Sequence, residues 1–222
     1  MRNKLECPQE KYVESLLSRY PELYIIRKEI IAAYRVMQKT YIHKGKLLIA
    51  GNGGSAADAE HIAGELMKEF CIQRILGNEF KNKLVSVDEE RGIILSQQLE
   101  GALPAIPLPM CRAVSTAYIN DVGAEGVYAQ QLLGLGKSED TFLVISTSGN
   151  SENIINAAVV AKAMGMQIIA LTGNSGGEIK QFADVVVAVP KKETYMIQEL
   201  HLPIYHCWCL MLEDFFFANQ CQ

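Results

Sequence analysis

Short apolar runs that alternate with helical patterns constrain the fold of this chain more than any other feature. Each run has the length of a strand that is buried on both faces of a sheet. The runs are LLIA at 47–50, LPAIPLP at 103–109, TFLVIS at 141–146, QIIALT at 167–172 and VVVAV at 185–189. Because helical patterns lie between most of them, the sequence predicts an α/β fold with a parallel five-stranded sheet flanked by helices.

Apolar helical patterns also lie outside this alternation, near both ends of the chain. Residues 9–44 carry an apolar stripe with intervening charges, which predicts one or two amphipathic helices divided at Pro21. The stretch 203–217 is apolar with little polar relief, which predicts a helix buried against the sheet or against another subunit. These helices exceed what one small sheet can cover. We therefore expect residues 1–222 to form a single domain whose N-terminal helical segment, 1–45, takes part in oligomerisation.

Composition and charge argue against several classes of protein. The formal net charge of -4 gives no sign of the basic surplus that nucleic-acid-binding proteins show. No apolar run approaches the roughly 20 residues that span a bilayer, and the N-terminal stretch lacks the apolar core of a signal peptide. The cysteines show no C-x-x-C spacing and are interpreted as reduced thiols, most of them packed as small hydrophobic side chains. They are Cys7, Cys71, Cys111, Cys207, Cys209 and Cys221. We expect a cytoplasmic protein with no nucleic-acid or membrane partner.

The segment GNGGSAADAEHIAGE, at 51–65, follows the first predicted strand and allows three interpretations. Gly51, Gly53 and Ala56 fit the dinucleotide-binding pattern G-x-G-x-x-[GA], which alone is weak support. That motif also requires an acidic residue about 20 positions later, at the end of a second strand. The sequence there, FCIQRILGNEF, is no clear strand. The dinucleotide interpretation is therefore disfavoured against a phosphate-binding loop or a metal site.

A second loop of the same design supports phosphate binding. STSGNS, at 146–151, also follows a buried strand and precedes a helical pattern. Free backbone N–H groups and the positive end of the helix dipole favour an anion at such a position, and serine hydroxyls add hydrogen-bond donors. The alternative is that Ser148 or Ser151 merely caps the helix. Two such loops on neighbouring strands favour a phosphate site over capping alone.

His61 and Glu65 are the first candidates for metal binding. Positions i and i+4 share one face of a helix, so both side chains can project towards one point. A histidine and a glutamate, joined by an amide oxygen and a second histidine, would form a zinc site of nitrogen and oxygen ligands. The alternative for a lone His–Glu pair is an ordinary hydrogen bond.

Taken together, the motifs resemble the sedoheptulose 7-phosphate isomerases, also called phosphoheptose isomerases, which have the sugar isomerase (SIS) fold. In chain order they are GNGGS, D-A-x-H-x-x-x-E, N-D, ISTSGNS, LTG and IQE-x-H-x-x-x-x-H, and they extend from about residue 10 to 215. STSGNS alone indicates only the sugar-phosphate-binding fold. The pair His61 and Glu65, together with Gln198 and His206, points to the isomerase within it.

The resemblance implies an aldose–ketose isomerase that converts sedoheptulose 7-phosphate to D-glycero-D-manno-heptose 7-phosphate through an enediol, for heptose in a bacterial surface polysaccharide. It implies a homotetramer with sites at subunit interfaces, and zinc held by His61, Glu65, Gln198 and His206. Glu65 would be the catalytic base and His206 its acid/base partner, since the ordinary pKa of histidine is near neutrality. A carboxylate bound to zinc is a weaker base. Glu65 is therefore either ligand and base at different stages, or the metal holds the substrate oxygens.

Substrate contacts also follow from the resemblance, motif by motif. They are Asn52, Gly53, Gly54 and Ser55 in the first loop, Glu65, the N-D pair Asn120 and Asp121, the phosphate loop residues Ser146, Thr147, Ser148 and Ser151, and Gln198.

The chain departs from the family pattern in three places. Residues 71–102 form an insertion, which would change the accepted sugar if it lies near the pocket. Tyr195 stands where relatives carry an aspartate that lines the site. Pro203 lies between Gln198 and His206, so Gln198 is expected in a separate turn before the last helix, and His201 is an alternative to His206.

Two other functions remain as alternatives. One is an isomerase of a different phosphorylated sugar. The other is a non-catalytic SIS-fold binding protein, such as a partner of the bacterial replication initiator or a sugar-phosphate sensor. A pure binding protein has no need of the His/Glu/Gln/His set, so the isomerase is favoured.

Overall fold

A parallel five-stranded sheet forms the centre of the protein, whose computed structural model describes residues 9–218. The strands are β1 (Leu47–Gly51), β2 (Ala105–Pro107), β3 (Thr141–Ser146), β4 (Gln167–Thr172) and β5 (Val185–Ala188). Each neighbouring pair is parallel, and the order is β2-β1-β3-β4-β5. The predicted α/β fold with a five-stranded parallel sheet is confirmed.

The helices alternate with the strands, as the sequence pattern predicted. They are α1 (Glu10–Arg19), α2 (Arg27–Ile42), α3 (Gly54–Met67), α4 (Asn78–Val87), α5 (Glu89–Gln98), α6 (Arg112–Asp121), α7 (Val127–Leu135), α8 (Glu152–Ala163) and α9 (Thr194–Phe217). Pro21 divides α1 from α2 by starting a short 3₁₀ turn, Pro21–Ile26. Proline suits that first position because its φ angle is already helical.

The apolar strand residues alternate between two helical layers. Leu47 and Ile49 of β1 belong to the core shared with α1, α2, α3 and α9. Leu48 and Ala50 belong to the core shared with α7 and α8 on the other face. This follows from the two-residue period of a strand, which sends successive side chains to opposite faces.

The order of the strands places the two glycine- and serine-rich loops side by side. β1 pairs with β3 in a register that sets Gly51 opposite Ile145, so both strands end at the same edge. The strand that follows β1 in the sequence lies on one side of it, whereas β3 and the later strands lie on the other side, so the strand order reverses between β1 and β3. Ligands of open α/β sheets bind at that point, beyond the carboxyl ends of the strands.

The N-terminal helices are packed within their own chain. Val13 and Leu16 of α1 and Ile30 and Tyr34 of α2 are fully buried in the core beside α9. The indole Nε1 of Trp208 donates a hydrogen bond of 3.0 Å to the Ile30 carbonyl. The expectation that the sheet cannot cover these helices is therefore wrong, and their part in oligomerisation stays a prediction.

The last helix continues through its proline. α9 covers 24 residues with Pro203 inside it, so Gln198 belongs to this helix and the expected separate turn is wrong. A proline removes one N–H from the helix and normally kinks or ends it. Here the apolar residues that follow, such as Ile204 and Trp208, are buried against the sheet. Most helical stability comes from packing of this kind, which offsets the loss of one hydrogen bond.

The proposed insertion, 71–102, contains the helix pair α4 and α5. Of the residues in these two helices, all of which the structure describes, Gly92 alone is buried. It lies directly against the Leu84 backbone, where a Cβ atom would come within 2.5 Å of the carbonyl carbon. An isolated β-bridge between Ile75 and Glu100 closes the base of the pair. The large apolar side chains left exposed on it are Phe80, Val87, Ile93, Ile94 and Leu95.

Four cysteines lie within the described residues, and all are free thiols. Cys207 and Cys209 are buried, whereas Cys71 is exposed and Cys111 is half-buried. Cys7 and Cys221 lie outside the described residues, as do the ends of the predicted domain, 1–8 and 219–222. None of the helices between residues 9 and 218 has the length and apolar character of a bilayer-spanning segment.

Candidate active site

A cavity of about 320 Å³ opens where the loops after β1 and β3 meet. Its walls come from the first loop, the second loop and the beginning of α9. The lining residues are Asn52, Gly53, Gly54, Ser55, Ile145, Ser146, Thr147, Ser151, Thr194 and Gln198. The structure thus brings together all four substrate contacts predicted in the first loop, three of the four in the second loop, and Gln198.

The first loop needs glycine at two consecutive positions. Gly53 has a φ angle of 56°, in the left-handed region that glycine adopts without strain. Gly54 begins α3, and a Cβ atom there would lie 2.7 Å from the Gln198 side-chain nitrogen. The absence of a side chain at Gly54 therefore lets the Gln198 amide rest directly on the beginning of α3.

The second loop is held in place by its own hydroxyl and by the end of β4. The Gly149 N–H donates to the Ser146 hydroxyl at 3.1 Å, and Gly149 has a left-handed φ of 68°. The Gly173 N–H donates to the Thr147 carbonyl at 3.0 Å. The LTG motif at 171–173 thus supports the backbone of the neighbouring loop.

Capping does not explain the serines of this loop. Ser151 is the N-cap residue of α8, yet its side chain makes no capping hydrogen bond. The residue instead forms part of the cavity wall. Ser148 is exposed, does not line the cavity, and accepts a hydrogen bond of 3.1 Å from the Asn150 N–H. The predicted substrate contact of Ser148 therefore stays a prediction, whereas Ser151 is available to a ligand.

Three helices begin at the cavity wall, namely α3 at Gly54, α8 just after Ser151 and α9 at Thr194. The first N–H groups of a helix have no intrahelical partner, and they carry a partial positive charge. Among the described residues, none of those lining the cavity carries a charge. The cavity is therefore suited to an anionic group that is bound by N–H and hydroxyl donors.

A second group of polar side chains lies further along α3 and α9. The ligand atoms of His61, Glu65 and His206 all lie within 4.8 Å of one another. His61 Nε2 is 3.1 Å from a Glu65 carboxylate oxygen and 3.4 Å from His206 Nε2. Burial, together with the neighbouring His61, lowers the pKa of His206. A lowered pKa favours the neutral ring, which is the form that ligates metals.

The other ring nitrogen of His61 is already engaged by Tyr205. The Tyr205 hydroxyl donates to the Asp58 carboxylate at 3.1 Å and lies 3.1 Å from His61 Nδ1. Since its single proton goes to Asp58, the phenol oxygen accepts the proton of Nδ1. His61 Nε2 then presents a lone pair to the Glu65 oxygen. Two acceptors this close repel each other unless a cation lies between them, so the arrangement fits a metal ion.

Gln198 is not part of this group. It lies eight positions before His206 in α9, a distance of ~12 Å along the helix axis, and its side chain lines the cavity beside Gly54. The metal-ligand role of Gln198 stays a prediction, and its position at the cavity also suits substrate binding.

Two further predicted contacts are not among the residues that line the cavity, and their role in substrate binding stays a prediction. Asn120 and Asp121 are exposed at the end of α6, where the Asn120 amide donates to the Asp121 carboxylate at 2.8 Å. Tyr195 is also exposed, and the neighbouring Thr194 lines the cavity instead. Position 195 thus lies just outside the cavity wall.

His201 does not serve as an alternative to His206. It is fully buried, and its Nε2 lies 3.3 Å from the Thr172 carbonyl. Nδ1 has no hydrogen-bond partner among the described residues. Burial lowers the pKa of His201 to about 4, so the ring stays neutral at physiological pH.

This buried ring predicts a loss of stability in mild acid. Below an ordinary histidine pKa of about 6.5 the unfolded chain binds a proton, whereas folded His201 does so only near pH 4. The contribution of the neutral His201 ring to the stability of the folded state is complete above pH 6.5 and is lost as the pH falls towards 4. It amounts to about 2 kcal/mol between pH 7 and pH 5. Urea unfolding should show this loss in the wild type and less of it in His201→Gln. Equal losses in both proteins would contradict the assignment.

A buried ion pair fixes the ends of the two helices that carry the His/Glu/His group. Arg74 Nε and the Glu213 carboxylate are 2.8 Å apart, and both side chains are fully buried. Arg74 also donates to the Glu65 and Leu66 carbonyls at the end of α3, at 2.7 and 2.6 Å. Glu213, on α9, accepts from the backbone N–H groups of residues 70–72. The pair thus joins the end of α3 to α9.

Several residues of the site escaped the sequence analysis. Thr194 and Ile145 line the cavity, and Asn153 exchanges two hydrogen bonds of 3.0 Å with Asn52 across the two loops. Asp58 was part of the motif D-A-x-H-x-x-x-E, but it received no role. The helical spacing of Asp58 and His61, three positions apart on one face, was the signal that could have found it.

Comparison with known proteins places the chain among sugar-phosphate enzymes. Residues 102–173 match the family model of the SIS domain. A phosphoheptose isomerase from Sulfurimonas denitrificans is 36% identical over 220 residues, which cover 99% of this chain and 94% of the relative. One from Leptospira biflexa is 38% identical over 210 residues, 95% of each chain.

Solved structures agree with the sequence relatives. The structure of phosphoheptose isomerase from Neisseria gonorrhoeae superposes with a TM-score of 0.71 at 31% identity, covering 92% of this chain and 95% of that one. A phosphoheptose isomerase from Francisella tularensis gives a TM-score of 0.70 at 31% identity, covering 92% and 96%. The resemblance inferred from the motifs is confirmed, and the chain belongs to the phosphoheptose isomerase family.

Proposed function

We propose that this protein is a phosphoheptose isomerase, which converts sedoheptulose 7-phosphate to D-glycero-D-manno-heptose 7-phosphate for the heptose of a bacterial surface polysaccharide. One observation carries the proposal. The same two helices, α3 and α9, line an anion-binding cavity at their beginnings and hold the His61, Glu65 and His206 side chains further along. Binding and proton transfer are thus arranged on one pair of helices.

The two helices run in the same direction. Gly54 lies against Gln198, His61 lies against His206, and the N–H of Phe70 lies against Glu213, so the contacts advance together along both helices. From Gln198 to His206 the separation along the axis is ~12 Å. If the phosphate group lies in the cavity, the carbon chain of the sugar must cover this distance to reach His206. The open form of a seven-carbon sugar suits it better than a short sugar phosphate does.

Isomerisation moves one proton between neighbouring carbons. Glu65 takes a proton from C1 of the ketose, which gives an enediol, and returns it to C2 of the aldose. His206 donates a proton to the oxygen on C2 and takes the proton of the C1 hydroxyl as the aldehyde forms, so that it ends in its starting state.

The donor set fits a zinc ion bound by His61, Glu65 and His206. Three protein ligands that leave one coordination position open are typical of catalytic zinc sites. When bound, zinc would supply a positive charge beside the substrate oxygens at C1 and C2. Glu65 would then be ligand and base at different stages, unless the role of the bound ion is to hold the substrate oxygens.

Removal of His61 is expected to remove the metal. We expect the purified wild type to contain close to one zinc ion per chain and His61→Ala to contain almost none, because the lone pair of Nε2 is one of only three proposed ligands. Elemental analysis of both proteins measures this. His43→Ala, which changes an exposed histidine on a different element, should keep its zinc. Zinc retained in His61→Ala would contradict the ligand assignment.

The activity itself is tested with a panel of substrates. The protein is incubated with sedoheptulose 7-phosphate and with shorter ketose phosphates, and the products are identified by NMR. The proposal expects conversion of the seven-carbon substrate with the highest kcat/KM. Preference for another phosphorylated sugar would select the other isomerase alternative. Tight binding without conversion would select the non-catalytic binding protein.

We also propose a homotetramer that works in the cytoplasm. The exposed apolar side chains of α4, α5 and α6 support assembly through a second copy of the chain, and they include Val87 of α4 (87% exposed) and Val114 of α6 (47%). The free thiols of the described cysteines suit a reducing compartment. Light scattering should report four copies of the 24.6 kDa chain. A monomer at working concentration would contradict the assembly.

A further inference from the structure

A hydrogen-bonded chain of three side chains leads from α3 through α9 and back to the proposed metal ligand His61. The Tyr205 hydroxyl lies 3.1 Å from both the Asp58 carboxylate and His61 Nδ1. Tyr205 is fully buried, and its ring packs edge-on against the rings of His61 and His206, with centroids 5.5 and 5.1 Å apart. Asp58 and His61 lie on α3, and Tyr205 and His206 lie on α9.

The order of donors in this series of hydrogen bonds fixes which ring nitrogen of His61 carries no proton. A carboxylate only accepts, so the Tyr205 proton goes to Asp58 and the phenol oxygen accepts from Nδ1–H. Nε2, which faces Glu65 and His206, then carries the lone pair. In the opposite tautomer, Nε2 would carry a proton and could not bind a metal.

We propose that Tyr205 and Asp58 are positioning residues that hold His61 in the orientation and tautomer required for metal binding. The proposal rests on the metal site proposed above and goes beyond its three ligands. Outer partners of this kind orient metal-bound histidines in many proteins, where they are a carboxylate, a carbonyl or a water. Here a buried phenol lies between the histidine and the carboxylate.

The two outer residues predict different consequences when they are removed. Tyr205→Phe keeps the buried ring and removes only the hydroxyl, so Nδ1 loses its acceptor. Asp58→Ala leaves the hydroxyl but removes the acceptor of its proton. The Tyr205 hydroxyl then donates to Nδ1, which drives the ring proton to Nε2 and blocks the ligand. Asp58→Ala is therefore expected to impair metal binding at least as much as Tyr205→Phe does.

Zinc affinity, measured by competition with a chromophoric chelator, tests the proposal without reference to activity. We expect the dissociation constant to rise about 10–100-fold in both variants. Tyr195→Phe, which changes an exposed tyrosine at the start of the same helix, should leave the constant unchanged. Affinities within two-fold of wild type in Tyr205→Phe and Asp58→Ala would overturn the proposal. Wild-type protein that binds no zinc would instead overturn the metal site and, with it, the proposal.

A second measurement keeps the test decisive if a variant fails to fold. Long-range proton–nitrogen NMR correlations of metal-free wild-type protein report which nitrogen of His61 carries the proton. The proposal expects protonated Nδ1 and bare Nε2. A proton on Nε2 of the neutral ring would overturn it, because Tyr205 and Asp58 would then not hold the tautomer that binds a metal.

Discussion

Replacing Glu65 by glutamine is expected to lower turnover by about 10²–10⁴-fold, the range typical of losing a general base. Glutamine keeps the length of the side chain and its hydrogen-bonding reach, but its amide cannot take a proton from carbon. Binding of the sugar phosphate should change far less, since the cavity proposed to hold the phosphate does not include residue 65. Turnover and isothermal titration with the same substrate separate the two effects.

Ser151→Ala is the matched control for this experiment. Ser151 lines the cavity without capping α8, so loss of its hydroxyl should weaken substrate binding by about 1–3 kcal/mol with little effect on the proton transfer. Turnover of Glu65→Gln within a few-fold of wild type would show that Glu65 is not the base. The non-catalytic alternative would then regain support.

Replacing Glu213 by glutamine is expected to lower the free energy of unfolding by about 3–5 kcal/mol, the range for removing one partner of a buried ion pair. The Arg74 guanidinium would stay fully buried without a counter-charge, and the glutamine amide would face backbone N–H groups that need an acceptor. Urea denaturation followed by Trp208 fluorescence measures the change, because Trp208 lies on the same helix and is buried.

An exposed ion pair offers the control for this second experiment. Lys83 and Glu79 form an i,i+4 pair on α4 with side chains 67% and 85% exposed. Exposed pairs contribute little, so Glu79→Gln should change the stability by less than about 1 kcal/mol. An equally small effect of Glu213→Gln would mean that Arg74 finds other partners, and that the pair does not hold α3 to α9.

The sheet and its two loops could be predicted from local sequence because their signals are local. A buried parallel strand is a short apolar run, and the glycines and serines that follow β1 and β3 serve the turn directly. Gln198 was placed wrongly because the proline rule considers the helix in isolation. The buried residues around Trp208 extend α9 through Pro203, and no local pattern contains that packing.

The neighbours of the catalytic group were harder to find for a related reason. Tyr205 and Asp58 lie 147 positions apart in the sequence, and only the parallel arrangement of α3 and α9 brings them together. Thr194 lines the cavity through its place at the start of a helix, a boundary that sequence patterns locate poorly. For the N-terminal helices the prediction failed because an apolar stripe does not reveal whether it packs within the same chain or against another one. These helices were expected to remain uncovered by the sheet, but they pack within their own chain.

The three helix beginnings around the uncharged cavity make it a receptor that does not titrate. Peptide dipoles and hydroxyl groups keep the same charge distribution across the physiological pH range, unlike a lysine, histidine or carboxylate. If this cavity binds the phosphate as proposed, the proton equilibrium that governs its binding there is that of the ligand itself, whose second ionisation has a pKa of about 6. The preference for the dianion over the monoanion is therefore set by the backbone. Acidification of the cell changes the charge of the phosphate ligand and not that of the cavity.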